Sequence, residues 1–142
     1  VVTGFDMITK LALGADMCNV ARPMMFAVGC IQARRCDRNT CPTGVATQDP
    51  ARAAALDVAT KHVRVANFHN ATVRSFLELT GAMGLDDPDT LTAAHIFRRV
   101  DDGPAKTFAE LYEHLEPGIL LTGSPPPGVL ATAWATASAE RF

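Results

Sequence analysis

Three cysteines close together in the chain are the residues best suited to chemistry. Cys30, Cys36 and Cys41 lie within twelve residues, with five and then four residues between them. A thiolate is a soft, anionic ligand, so three of them on one loop could wrap a single metal centre. Zinc sites prefer paired ligands about two to four residues apart, and this chain has no Cys-x2-Cys pair. The wide spacing suits an iron–sulfur cluster, and three ligands suit the 3Fe-4S type. Spacing alone leaves open three unconnected reduced cysteines.

The segment between the first and last of these cysteines is basic. It contains Arg34, Arg35 and Arg38 against a single acid, Asp37, which gives three positive charges minus one negative, or +2. That charge would offset an anionic cluster and favour thiolates over thiols. A solvated basic turn is the alternative interpretation. The fourth cysteine, Cys18, falls in an apolar segment, where a small buried thiol is the commoner role.

Composition and charge narrow the classes of function. The 142 residues carry 13 Lys and Arg against 15 Asp and Glu, for a formal net charge of -2, and 48% of them are hydrophobic. This fits one ordinary domain and gives no electrostatic case for binding nucleic acid or an anionic membrane. The longest apolar run, Met24–Ile31, has eight residues, whereas a membrane-spanning helix needs about 20. With no secretion signal at the start, we expect a cytoplasmic protein.

Helices and one strand are predicted around the cysteines. Thr3 can cap a helix that runs to Gly14, and the apolar segment 15–21 then fits a buried strand. A helix predicted over 24–35 leads into an irregular loop that begins at Cys36. Helix and strand in this order are half of a β/α repeat. The fold class is therefore α/β.

The rest of the chain is predicted to be mainly helical. A long amphipathic helix should follow Pro50, with a second, short one ending at Arg99. Thr107 opens a capping box for another helix through His114, and the tail to Phe142 is weakly helical. The apolar face of the long helix consists of Val65, Phe68, Thr72, Phe76, Leu79 and Met83.

The chain resembles the FMN-binding domain of glutamate synthases. The run GADMCNVARPMMFAVGCIQARRCDRNTCPTGVATQDP, Gly14 to Pro50, is similar to the segment that ends the (β/α)8 TIM barrel of that family and holds its iron–sulfur cysteines. The run KHVRVANFHNATVRSFLELTGAMGL, Lys61 to Leu85, is similar to the helical extension that follows. Asn19-Val-Ala-Arg22 stands where the larger synthases are glycine-rich, so the chain is more similar to the short, archaeal-like branch.

The resemblance implies a fold and a domain organisation. Residues 1–49 would be the last β/α unit of the barrel with the iron–sulfur loop, residues 50–121 the helical extension, and residues 122–142 a Pro/Gly linker and tail. The first six strands of the barrel have no counterpart in the sequence, which begins at Val1. We therefore expect a carboxy-terminal fragment of a larger domain, inactive when isolated.

The resemblance also implies cofactors and a reaction. In the family, FMN and a 3Fe-4S cluster pass the electrons that reduce 2-iminoglutarate, formed from 2-oxoglutarate and ammonia or glutamine nitrogen, to L-glutamate. Cys30, Cys36 and Cys41 match the cluster ligands. Asn19, Ala21 and Arg22 match the turn after the eighth strand, which such barrels use to bind phosphate, here that of FMN. No catalytic residue is assigned.

The resemblance also implies partners, while the cysteine loop leaves two alternative functions open. An electron-donor subunit or ferredoxin is an expected partner, while nucleic acid and membrane are not expected. Two other classes of function remain open for the cysteine loop. One is a stand-alone iron–sulfur electron-transfer protein that lacks flavin, and the other is a structural module that binds zinc through the same thiolates.

Overall fold

The computed structural model describes residues 1–140, which fall into two compact units. The first unit spans Val1–His95 and the second begins at Ile96. The first unit contains helices α1 (Gly4–Ala12), α2 (Arg22–Val28), α3 (Pro50–Ala53) and α4 (Val58–Ala82), and 3-10 turns at Cys36–Arg38, Pro88–Thr90 and Ala93–His95.

Helix α1 begins as the sequence predicts. The Thr3 hydroxyl accepts a hydrogen bond from the Asp6 N–H, and the Asp6 carboxylate accepts one from the Thr3 N–H, both at 3.1 Å. This reciprocal pair satisfies two donors that the first turn of a helix leaves unpaired. Ile8 and Ala12 are buried, on a helix that packs against α4. The helix predicted over 3–14 is confirmed.

Helix α4 supplies most of the scaffold of the first unit. It packs against both α1 and α2, and every residue of its predicted apolar face is buried or half-buried. Phe76 and Thr80 are its buried positions. The Thr80 hydroxyl donates to the Phe76 carbonyl at 2.9 Å, so this polar group is satisfied inside the core. The predicted amphipathic helix is confirmed.

The strand predicted over residues 15–21 is wrong for this structure. These residues form an irregular segment between α1 and α2. A strand requires a hydrogen-bonding neighbour, and no other segment of the described chain lies alongside this one as a strand. The apolar composition predicts a buried strand, whereas the segment is exposed or half-buried, because composition cannot supply the neighbouring strands.

The helix predicted over 24–35 is shorter than expected. It starts two residues earlier, at Arg22, and ends at Val28. Gly29 follows with φ +125°, a conformation in which a helix cannot continue. The predicted loop consequently starts before the first cysteine of the cluster motif and not at the second.

The second unit has a two-stranded sheet that the sequence did not indicate. Strand β1 (Phe97–Arg99) pairs antiparallel with β2 (Ala105–Thr107), so the helix predicted to end at Arg99 is wrong. The capping box of Thr107 and Glu110 is confirmed. It opens α5 (Phe108–Leu111), which stops short of the predicted end at His114. Helix α6 (Val129–Thr136) lies in the predicted helical tail, whose last two residues are outside the described range.

No helix within residues 1–140 combines the length and the apolar composition needed to cross a bilayer. The domain boundaries predicted at residues 49 and 121 stay predictions, as does the origin of residues 1–49 in a TIM barrel.

Candidate metal centre

The structure brings the three predicted cysteines around one cavity. Cys30, Cys36 and Cys41 all contribute to the wall of this cavity, whose volume is small, about 10 Å³. Cys41 is buried, Cys30 half-buried and Cys36 exposed, so the cavity has an inner and an outer edge. Cys18 is half-buried and does not line it. The remaining wall residues are Met25, Ile31, Ala33, Arg34, Arg35, Thr43, Val45 and Ala46.

The end of helix α2 positions Cys30. The Cys30 N–H donates to the Met25 carbonyl at 2.9 Å, and the Gly29 N–H donates to the Phe26 carbonyl at 3.0 Å. These two bonds form a Schellman motif, in which the residue after the left-handed glycine is fixed relative to the last turn. The Cys30 sulfur in turn accepts the Gln32 N–H at 3.4 Å. A rigid helix end therefore holds the first thiol.

The loop between Cys30 and Cys41 has an unusual backbone. Gln32, Arg34 and Asn39 all have φ between +51° and +57°. Residues other than glycine rarely adopt this left-handed backbone conformation. Such residues persist where surrounding structure enforces them, and they cluster at functional sites. Cys36 opens the short 3-10 turn between two of these positions.

Hydrogen bonds surround the sulfur of Cys41. The Thr43 hydroxyl lies 3.5 Å from it, and backbone N–H groups of Ala46 and Thr43 point at it as well. The Thr43 hydroxyl first, and then these N–H groups, lower the pKa of Cys41 from 9.0 to about 7. Hydrogen bonds to a charged form favour that form. At neutral pH this thiol is therefore substantially a thiolate, which is the form that binds metal.

The side chain of Asn39 closes the loop that carries Cys41. Its Oδ1 accepts the Gln48 N–H at 2.5 Å and the Thr47 hydroxyl at 2.8 Å. The same hydroxyl is 3.0 Å from the Asn39 carbonyl oxygen. One side chain thus joins the two ends of a ten-residue loop. Asn39 is also among the residues that tolerate a left-handed backbone best.

A second contact anchors the same loop to helix α3. Gly44 has φ +74°, and a Cβ there would collide with the Arg52 carbonyl. Only glycine fits this position, because both the backbone conformation and the close approach exclude a side chain. Asp49 caps α3 by accepting the Ala51 N–H at 2.9 Å. Sequence reasoning treated this loop as irregular and did not identify Gly44 or Asn39 as its supports.

The wall of the cavity carries positively charged residues from the basic segment identified in the sequence. Arg34 and Arg35 contribute to its wall, whereas Arg38 pairs weakly with Asp37 at 3.9 Å on the exposed surface. Two positively charged residues on the wall of a cavity with three thiols would favour bound anionic sulfur. Within residues 1–140, no three His, Cys, Asp or Glu side chains converge in the arrangement that holds one metal ion.

The predicted flavin residues lie apart from this cavity. Asn19, Ala21 and Arg22 are exposed, at the approach to helix α2. Ala21 occupies the N-cap position, and no side chain caps that end of the helix. They do not line the cysteine cavity. Their role toward FMN stays a prediction.

Comparison with known proteins identifies the family. A family model described as a conserved region in glutamate synthase matches residues 1–86, which is more than half of the chain. The chain belongs to the glutamate synthase family. The match covers helices α1 to α4 and the entire cysteine loop. No solved structure matches the chain.

Individual glutamate synthases give the same result. A glutamate synthase large subunit-like protein, YerD, of Bacillus subtilis is 46% identical over 93 residues, 66% of this chain and 18% of its own length. An archaeal NADPH glutamate synthase of Methanocaldococcus jannaschii is 36% identical over 86 residues, 61% of this chain and 17% of its own. A ferredoxin-dependent glutamate synthase of Arabidopsis thaliana is 31% identical over 131 residues, 92% of this chain and 8% of its own. The chain therefore spans less than a fifth of these relatives.

Proposed function

We propose that this chain provides the iron–sulfur centre of a glutamate synthase. Cys30, Cys36 and Cys41 would hold a 3Fe-4S cluster, and the enzyme would form L-glutamate from 2-oxoglutarate and ammonia or glutamine nitrogen. The observation that carries the proposal is the common cavity of the three thiols, inside the segment that matches the family. A bound cluster supplies one-electron transfer.

The arrangement of donors favours a cluster over a zinc ion. A structural zinc ion needs four ligands that converge tetrahedrally on one point. The described residues offer three thiols around a shared cavity, without such convergence. Three thiols are one ligand fewer than a structural zinc site needs and match the number that a 3Fe-4S centre would use. The hydrogen bonds to the sulfurs of Cys30 and Cys41 support the same choice, because such bonds tune iron–sulfur centres.

The chain's own residues have distinct tasks in this proposal. The Schellman motif at Gly29 fixes one ligand, and Asn39 and Gly44 hold the loop that carries Cys41. Met25, Val45 and Ala46 line the cavity and would exclude water from the inner side of the cluster. The exposed Cys36 lies where an electron-donor subunit or ferredoxin would approach.

FMN would be bound only in part by this chain. Exposed Arg22 and the uncapped start of α2 are suited to a phosphate group, since a guanidinium and backbone N–H groups both favour anions. We propose that residues 1–49 belong to the end of a TIM barrel, whose other strands would contact the flavin ring and the substrate. Asn19 and Ala21 would then belong to the same phosphate turn.

Metal content tests the proposed function directly. Protein carrying this sequence, purified without oxygen, should contain about three iron atoms per chain and show visible charge-transfer absorption. Cys36→Ser should abolish the cluster, because it removes one of three ligands. Cys18→Ser is the matched control and should leave iron content unchanged, since Cys18 does not line the cavity. Stoichiometric zinc without visible absorption, or equal iron loss in both variants, would contradict the proposal.

A further inference from the structure

The two-stranded sheet of the second unit has an open edge along β1. In an antiparallel pair, residues bonded to the partner strand alternate with residues whose N–H and C=O groups point away from it. The Phe108 N–H donates to the Ile96 carbonyl at 2.8 Å, and the register makes Arg98 the next residue bonded to β2. Phe97 and Arg99 therefore direct their backbone groups outward. Within the described part of the chain, no strand other than β2 pairs with β1.

The outer edge of β2 is partly occupied, unlike that of β1. The Thr107 N–H donates to the Glu110 carboxylate at 2.7 Å, as part of the capping box that opens α5. On β1 all three residues are exposed, and Phe97 is 65% exposed. A strand edge with unpaired N–H and C=O groups is a template for pairing with another chain. The edge available for such pairing is that of β1.

Every charged residue in the two strands is positive. These residues are Arg98 and Arg99 on β1 and Lys106 on β2, while Asp101 and Asp102 lie in the turn between the strands. Arg98 stands directly opposite Lys106, and like charges in such a cross-strand pair repel each other. The ion pairs within 4.0 Å in the described chain include no residue of the sheet. An anionic group beside β1 would compensate this charge.

A hydrogen bond positions the Arg98 guanidinium next to a hollow. Its Nη1 donates to the Tyr112 hydroxyl at 3.1 Å, and the Tyr112 ring packs edge-on against Phe108, with 5.1 Å between the ring centroids. The hollow has a volume of about 370 Å³, and its wall consists of Arg98, Arg99, Val100, Asp101, Leu111 and Tyr112. This space is sufficient for a side chain of a docked segment.

We propose that the open edge of β1 binds an extended, acidic segment of a partner protein, which adds a third strand to the sheet. Backbone groups of Phe97 and Arg99 pair with the segment, and its acidic side chains lie beside Arg98 and Lys106. Successive residues of a strand face opposite sides of the sheet, so the segment alternates acidic residues, on the side of Arg98, with apolar residues, on the side of Phe97. A second copy of β1 fits less well, because it would bring arginines next to arginines.

Fluorescence anisotropy of a labelled peptide, titrated with the full polypeptide that carries this sequence, tests the proposal. The probe is a hexapeptide of alternating Glu and Val. We expect saturable binding that weakens as salt is added, because salt screens exposed charges. A hexapeptide of alternating Lys and Val should not bind. The Glu/Val peptide with N-methyl groups on the backbone nitrogens that face β1 should bind about tenfold more weakly, because it lacks these donors.

Variants of the two arginines separate backbone pairing from charge. Arg99→Gln removes the charge and keeps the N–H, whereas Arg99→Pro removes both but leaves the ladder to β2 intact, since this N–H points outward. The proline variant should bind about tenfold more weakly than the glutamine variant. Arg98→Glu should weaken binding about tenfold relative to the parent. Arg64→Glu is the matched control on exposed α4 surface and should bind like the parent.

Binding of the Lys/Val peptide as tightly as the Glu/Val peptide, or no saturable binding of either, would overturn the proposal. So would equal affinities of Arg99→Pro and Arg99→Gln, or equal weakening by Arg98→Glu and Arg64→Glu. Self-association that Arg99→Pro abolishes, without peptide binding, would identify a second copy as the occupant instead. If the β1 variants do not fold, the N-methylated peptide still decides, because it leaves the protein unchanged. None of these measurements requires bound iron, so their outcome is independent of the proposed function.

Discussion

Single polar side chains decide whether three cysteines on an irregular loop form a site. Asn39 joins the two ends of the loop through Thr47 and Gln48, and Thr43 lies within hydrogen-bonding distance of the sulfur of Cys41. Neither residue would touch substrate. Their contribution is preorganisation, since a loop held in one conformation loses less entropy when it binds a metal centre. Asn39 also has a left-handed backbone, which asparagine adopts more readily than most other residues do.

Replacing Asn39 should weaken metal binding more than overall stability. Asn39→Ala removes the acceptor for two hydrogen bonds at the loop ends, and such a net loss is about 1 kcal/mol per bond. We expect faster loss of iron to a chelator, measured by the decay of visible absorption. Asn39→Asp retains an acceptor oxygen and should lose iron at close to the parent rate.

Asn70→Ala is the control for this experiment, because Asn70 is exposed on helix α4. Iron release from Asn39→Ala at the rate of this control would contradict the role assigned to the loop closure.

At the scale of elements, close contact between α1 and α4 builds the scaffold beneath the site. Gly4 lies at this contact, and a Cβ there would be 2.6 Å from the Phe76 backbone nitrogen and 2.9 Å from the Ser75 carbonyl carbon. Backbone atoms cannot move aside as the end of a flexible side chain can. Gly81, near the far end of α4, has open space around it instead. A methyl group at position 4 would therefore clash with the backbone of α4, whereas a methyl group at position 81 would meet no other atom.

We expect opposite stability changes from the two corresponding alanine variants. Gly4→Ala should destabilise the first unit by about 1–3 kcal/mol, because it forces the helices apart. Gly81→Ala should stabilise it by about 0.5–1 kcal/mol, because alanine loses less backbone entropy in a helix than glycine does. Urea denaturation followed by circular dichroism measures both. Equal effects, or a stable Gly4→Ala variant, would show that α1 and α4 are not packed this closely.

At the scale of the whole molecule, the first unit leaves several large apolar side chains exposed. Phe5 is 54% exposed, Met17 84% and Ile31 64%; Met17 lies in the segment where a strand was predicted. Covering such side chains by further protein is favourable. In our proposal the remainder of a TIM barrel covers them, which agrees with the small share of each relative that the chain matches.

The isolated 142-residue chain should therefore self-associate and fail to bind flavin. We expect enhanced fluorescence of an apolar dye and concentration-dependent sedimentation, because association covers apolar surface. Met17→Glu should reduce both, since this side chain is largely exposed. FMN titration should give no saturable quenching. A monomeric chain that binds FMN saturably would contradict the proposal that the missing part of the barrel completes the site.

The sequence alone determined the features that depend on local chemistry. The cap of Thr3, the apolar face of α4 and the spacing of Cys30, Cys36 and Cys41 can be read from residue types and intervals, because capping and helical periodicity act over a few residues. The family resemblance rested on the same local runs and is confirmed.

Only the tertiary structure decided which distant residues support the site. The contact of Gly4 with Phe76, and that of Gly44 with Arg52, join segments whose proximity no local pattern encodes. The predicted strand over 15–21 failed for a related reason: pairing requires a neighbouring strand, and an apolar run does not reveal whether one is present. Sequence fixes what each residue can do, whereas packing determines which of these residues meet.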